Sequence, residues 1–182
     1  MLPMWRYLTL TQNLGLNILT SGTFSHAWSL CAEEHFYLVL PVALAALLAS
    51  GLFKKALWLP LALFLLTLLL RSYFWNHDYL PNIHSDNATM LWYKYVYYPT
   101  YCRADGLLVG ITAAATFHFA PKSWAAITRS GNAAFVAALL VLSAAYVLCL
   151  NPLSYPASVF GFSVVAMGYG MLLISALSRG CF

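Results

Sequence analysis

Residues 25–41 read SHAWSLCAEEHFYLVLP, and this stretch decides what kind of protein the rest of the chain can be. It sets two adjacent carboxylates, Glu33 and Glu34, together with His26, His35, Trp28 and Tyr37, at the mouth of a long apolar run. Only five acidic residues occur in the 182-residue chain, and two of them lie side by side where hydrocarbon would begin. Ionised groups there are costly, so at a membrane boundary they are functional candidates by default. Local signals suit a helix start. Ser29 is placed to cap it, and Glu33 and Glu34 then fall in or just after the first turn, at the positive end of the helix dipole. On a helix, His26, Glu33 and Tyr37 share one stripe, and Pro41 introduces a kink beyond them.

Composition extends the reading to the whole chain. It is 62% hydrophobic and 8% charged, against roughly a quarter charged in soluble domains. Apolar runs near or above the membrane-crossing length predict an all-α polytopic bundle forming a single membrane domain over 1–182. About five spans are expected, at 36–52, 57–75, 104–120, 133–150 and 157–177. Residues 1–24, with Gln12, Asn13 and Asn17, are too polar for a span and read as an interfacial lead-in. MLPMWRYLTLTQNL lacks the apolar centre and small-residue cleavage site of a signal peptide. Arg71, near the far end of the second span, is expected to snorkel to the interface past Tyr73, Phe74 and Trp75. Residues 76–102 read as a long loop holding two His, two Asp, six Tyr and Trp92. Its aromatic content argues against disorder, and loops of this length are commonly functional. Gly161, Gly168 and Gly170 suit close helix packing.

Nine basic residues are scattered without a stripe, which excludes a nucleic-acid surface. Cys31, Cys102, Cys149 and Cys181 show neither zinc-finger spacing nor a disulfide framework; they read as buried thiols, with a Cys31–Cys102 cross-link as the alternative. His26 and His35 lack matching ligands, so no metal site is expected. Loop charge sets an orientation: Lys54, Lys55, Lys122, Arg129 and Arg179 fall on one side and Lys94 on the other. The positive-inside bias therefore places 1–35 and 76–102 outside the cytoplasm.

The run HAWSLCAEEHFYLVLP, His-x-Trp-Ser-Leu-x-x-Glu-Glu-x-Phe-Tyr-(x)3-Pro, resembles the signature of the acyltransferase family three membrane proteins, which O-acetylate bacterial O-antigens and exopolysaccharides. YCRADGLLVG at 101–110 resembles that family's later Arg-x-Asp-x-Leu-x-x-Gly element. The resemblance implies a bacterial inner-membrane enzyme. It would take an acyl group, commonly acetyl, from acyl-CoA as co-substrate, with no bound cofactor, and deliver it to a carbohydrate hydroxyl on the extracytoplasmic side. Its partners are then the lipid bilayer and the glycan acceptor.

Such chemistry needs a base for the alcohol proton, donors for the tetrahedral oxyanion and a platform for the sugar. Glu34, Glu33, His26 and Arg103 are the catalytic candidates, with His26 or a Glu–His pair as base and Arg103 as oxyanion donor. Trp28, Ser29, Tyr37 and Asp105 are candidates for substrate contact, with Trp92 and the tyrosines as platform. Each has a plainer alternative. Glu33 and Glu34 could pair with Arg103 or Arg71 to fix packing, Arg103 and Asp105 could form a local pair, and Trp28 could be an interface anchor. His118 reads as structural, with a contact to CoA as its alternative; His77 and His84 sit in the aromatic stretch and could be solvated.

Two departures from the pattern stand out. The position after Glu34 is commonly Gln in the family and is His35 here. Family members have about ten spans. Neither their early helix, with a basic residue and a His taken as the base, nor their late Ser-Tyr-(x)3-Leu-x-His element is present. A central fragment is expected, with further N- and C-terminal helices of the same domain. Two other classes share these features: a transporter or flippase of a glycan or small polar solute, and a non-catalytic membrane subunit.

Overall fold

The computed structural model describes residues 2–17, 22, 25–51 and 58–178, which are mostly helical, with turns and short irregular connections and no strand among them. Helix α1 is Met4–Leu8. Helix α2, Trp28–Ala49, follows a 3-10 turn at Ser25–Ala27 and contains Pro41. Helix α3, Leu59–Phe74, runs on through a π-helical turn at Trp75–Tyr79 and a 3-10 turn at Leu80–Asn82. Next come α4, Ala88–Trp92, a second π turn at Tyr93–Tyr97 and a 3-10 turn at Thr100–Cys102. Helices α5, Asp105–Phe119, α6, Pro121–Ile127, α7, Gly131–Leu148, and α8, Phe162–Ala176, complete the order, with a π turn at Ala157–Gly161 before α8.

Four continuous helical stretches are long and apolar enough to cross a bilayer: Ser25–Ala49, Leu59–Asn82, Pro121–Leu148 and Ala157–Ala176. The chain is thus a multi-pass α-helical membrane protein. The expected third span is the exception in length, because Asp105–Phe119 has 15 residues, and at 1.5 Å per residue that is about 22 Å, short of the roughly 30 Å hydrocarbon thickness. Large apolar side chains point outward, Leu38, Val42, Leu61, Leu69, Leu140 and Val147 among them. Lipid is as apolar as a protein core, so these faces need no protein cover.

Contacts divide the chain into two compact units, Met1–Ala104 and Asp105–Phe182. In the first, α2 and α3 both touch the Thr100–Cys102 turn, so the aromatic stretch is the hub on which the two long helices lean. That stretch is not the loop expected over 76–102. Most of it is coiled into short helical and π-helical turns, which satisfy backbone groups locally where water is scarce. A π turn bonds residue i+5 back to residue i: the Tyr98 N–H donates to the Tyr93 carbonyl at 2.9 Å. The widened turn brings Tyr93, Tyr97 and Tyr98 together, with ring centroids 5.4 Å apart for Tyr93–Tyr97 and for Tyr93–Tyr98.

Two further expectations are corrected. Helix α2 begins at Trp28, behind Ala27, with no side-chain cap; Ser29 lies inside the helix and is exposed, and no acidic residue occupies the first turn. Glu33 and Glu34 sit two residues deeper than the dipole argument placed them, in the second turn. Arg71 does not snorkel either. It is wholly buried, because the Trp75–Tyr79 turn and the tyrosines beyond it extend α3 instead of releasing the chain to the interface.

The second unit is built on small residues. Helix α7 buries Gly131, Ala138 and Ala145, and the α8 segment buries Gly161, Gly168 and Ser175. Both sets recur every seventh residue, the spacing that holds one face of a helix against a neighbour. A methyl group added at Gly168 would meet Leu142 Cδ2 at 2.6 Å, and one at Gly170 would meet Val109 at 2.5 Å, so α8 touches α7 and α5 at its glycines. The Ser175 hydroxyl donates to the Gly131 carbonyl at 2.8 Å and ties the ends of α8 and α7. Lys54, Lys55 and Arg179, which carry much of the orientation argument, and Cys181 lie outside the described residues.

Candidate functional site

Three pieces of backbone converge inside the first unit. The first is the turn after α1. Leu10 and Gly15 both adopt left-handed backbone, at φ 55° and 69°, a conformation that costs a leucine about 1 kcal/mol. The reversal carries Gln12, Asn13 and Leu16 inside, at 4%, 0% and 1% exposure. The second piece is the inward stripe of α2, with Trp28, Cys31 and His35 at helical spacing. The third is the segment from Tyr93 to Arg103.

Polar contacts join them. The Asn13 side-chain amide donates to the Tyr98 carbonyl at 3.2 Å and to Thr100 Oγ1 at 2.8 Å. Thr100 Oγ1 in turn lies 3.0 Å from His35 Nδ1. Among the described residues, the side-chain carbonyl oxygens of Gln12 and Asn13 are buried without a hydrogen-bond donor.

Beside this chain lies an aromatic clamp. Trp28 packs on Tyr97 and Tyr98, at centroid distances of 4.9 and 5.8 Å. The Arg103 guanidinium sits over both Trp28 and Tyr97, 5.0 and 4.9 Å from the ring centres. Such stacking holds the cation by its face and leaves the planar edge, where the N–H donors lie, to set direction. Burial, reinforced by the Tyr93 and Tyr97 phenols, raises the Tyr98 pKa, so at neutral pH Tyr98 contributes a hydroxyl and not a phenolate.

Of the residues expected at a site, Trp28 and Arg103 meet here. Trp92 stands behind them, buried and 5.3 Å from Tyr97. Glu34 is half-buried, while His26, Ser29, Glu33 and Tyr37 are exposed on the outward side of α2. The stripe His26, Glu33, Tyr37 is therefore the outer face, and the face turned to the aromatic hub carries Trp28, Cys31 and His35. Asp105 belongs to the second unit. It is buried, accepts from the Gly106 N–H at 3.1 Å and from the Ser163 hydroxyl at 2.8 Å, and so binds the start of α5 to α8. His77 is exposed and stacks on Tyr73; His84 and His118 are exposed.

Cys31 and Cys102 are both buried thiols, and each hydrogen-bonds a backbone carbonyl, of Ala27 and Tyr95. The cross-link between them is not formed. No group of three or more His, Cys, Asp or Glu side chains is gathered for a metal among the described residues.

Reasoning from sequence missed Gln12, Asn13 and Thr100. The signal for the first two was present: an amide pair in an interfacial lead-in is costly to bury without partners. Thr100, between a tyrosine and a proline-bounded turn, offered none.

No protein-family model, curated protein or solved structure matches the chain. The class defined by fold and composition is a multi-pass helical membrane protein with an arginine–aromatic clamp in its first unit.

Proposed function

We propose that this protein is a membrane-bound O-acyltransferase that moves an acetyl group from acetyl-CoA to a hydroxyl of cell-surface carbohydrate. The observation that carries the reading is the seating of Arg103 on Trp28. These residues come from the two separate segments that resemble the acyltransferase signature, and a shared site requires them to meet. The guanidinium supplies a fixed positive edge for the oxyanion that forms when the sugar hydroxyl attacks the acyl carbonyl. Trp28 and Tyr97 offer flat faces for a sugar ring. Of the paired carboxylates we assign the catalytic role to Glu34, which is half-buried, whereas Glu33 and His26 are exposed on the outer face of α2. We place the protein in a bacterial inner membrane with this site on the extracytoplasmic side. This topology rests on the loop-charge reading with five spans, in which the short Asp105–Phe119 helix also crosses.

The test is glycan acetylation, read by mass spectrometry of surface polysaccharide from cells whose own acetylase is deleted. Arg103→Ala and Glu34→Gln are expected to abolish it, and Glu33→Gln to leave most of it. Wild-type acetylation by Arg103→Ala at normal membrane abundance would sink the assignment.

A transporter of glycan or a small polar solute is the second reading, supported by Arg71, wholly buried within a spanning helix. It predicts uptake or export of intact solute that Arg71→Leu eliminates, with acetylation unaffected throughout. A non-catalytic subunit predicts co-purification with a second membrane chain and no effect of Glu34→Gln.

A further inference from the structure

The hydrogen-bond chain Asn13–Thr100–His35 favours one arrangement of protons, in which the threonine hydroxyl is matched and the His35 Nε2–H is the donor left for a ligand. Tyr98 offers a backbone carbonyl, an acceptor only, so the Asn13 side chain must turn its NH2 toward it. The second N–H of that amide then points at Thr100 Oγ1, 2.8 Å away. The threonine oxygen therefore accepts from Asn13 and retains a single proton to donate. Its other partner is His35 Nδ1 at 3.0 Å. If Nδ1 carried a hydrogen, the threonine would accept twice and its own proton would have no acceptor, a costly state in a partly buried site.

We infer that Thr100 fixes neutral His35 as the Nε2–H tautomer, which makes Nε2 a hydrogen-bond donor toward a substrate oxygen and leaves it no lone pair with which to take a proton from that substrate. The Nδ1 lone pair accepts the threonine proton, so the one proton it is set to receive is that of Thr100, and Nε2 is protonated. The ligand class follows from the chemistry: an uncharged oxygen acceptor, such as a sugar hydroxyl or ring oxygen or an acyl carbonyl. That choice of ligand rests on the acyltransferase reading; the tautomer does not. A glutamine at position 35 would likewise offer one acceptor and one donor in a similar frame.

Two measurements test the inference separately. In full-length protein reconstituted in lipid bilayers and labelled with 15N-histidine, solid-state NMR at about pH 8 reads the tautomer directly. The chain has five histidines, and His35→Gln identifies the resonance by its loss. The expected result is an unprotonated Nδ1 and a protonated Nε2, with the preference relaxing in Thr100→Val. A protonated Nδ1, or a spectrum unchanged by Thr100→Val, overturns the inference. In the acetylation assay, His35→Gln is expected to stay within about threefold of wild type and His35→Ala to fall at least about tenfold. Equal loss in both would refute the donor role. Absence of acetylation even in wild type would defeat the acyltransferase reading while leaving the NMR result to decide the tautomer.

Discussion

Trp28 and Arg103 should be energetically coupled, and the size of the coupling can be worked from the geometry. Arg103 stacks on two rings at about 5 Å, Trp28 and Tyr97. A cation–π contact contributes roughly 0.5–1 kcal/mol when exposed and about 2 when desolvated; a half-buried guanidinium falls between, near 1–1.5 per ring. Trp28→Ala also removes the ring contacts with Tyr97 and Tyr98, each worth about 0.5–1.5 kcal/mol. The single variant Trp28→Ala is therefore expected to cost about 3 kcal/mol, and Arg103→Ala about 2–3. Because one Arg103–ring contact appears in both, the double variant should cost about 1–1.5 kcal/mol less than their sum. Reversible unfolding in mixed micelles with increasing SDS, followed by tryptophan fluorescence and by circular dichroism, measures all four corners of the cycle. Trp28→Phe, with a smaller ring, should retain part of the coupling. Additivity within about 0.5 kcal/mol would mean that the two residues do not interact. The contact on which the functional reading rests would then be refuted.

Gly168→Leu drives a side chain into Leu142 and is expected to destabilise the second unit by about 3 kcal/mol; Gly168→Ala should cost less, because its helix propensity gain of about 1 kcal/mol offsets part of the clash. SDS unfolding distinguishes the two. Ser163→Ala removes a hydroxyl donor from the buried Asp105 carboxylate and should cost about 1.5–3 kcal/mol. Asp105→Asn in the same background should recover part of the loss, read in the same assay. Burial first, then the neighbouring Cys102, Asp78 and Tyr95, push the Tyr101 phenol up to about 12. The folded state thus holds this proton above the ordinary tyrosine range near 10, and its stabilising contribution is complete below that value and lost as pH rises from about 10 to 12. An alkaline absorbance titration should show late-ionising tyrosines, of which the one near pH 12 disappears in Tyr101→Phe.

Much of the architecture was legible before any coordinates, because hydrocarbon imposes its own code. Low charge and long apolar runs gave a helical multi-pass protein, and the glycines of α8 marked its close contacts in advance. The aromatic stretch escaped, since Tyr-rich sequence with scattered Asn and Asp reads as loop by propensity. Only the mutual packing of the rings makes π-helical turns preferable there. Arg71 escaped for the same reason: its distance from the span end suggested snorkelling, but the helix did not end.

At the site, sequence alone singled out Trp28 and Arg103 as chemistry-bearing residues, and tertiary structure decided which neighbours they have. Helical periodicity could name two possible faces of α2, one with His26, Glu33 and Tyr37 and one with Trp28, Cys31 and His35. It could not choose between them, because both mix polar and apolar groups. The choice fell to contacts far apart in the chain: Asn13 reaching Tyr98 and Thr100, and Thr100 reaching His35. No local propensity encodes a hydrogen bond across 65 or 87 residues; it exists only once the aromatic hub has folded and the buried amide must find its acceptors.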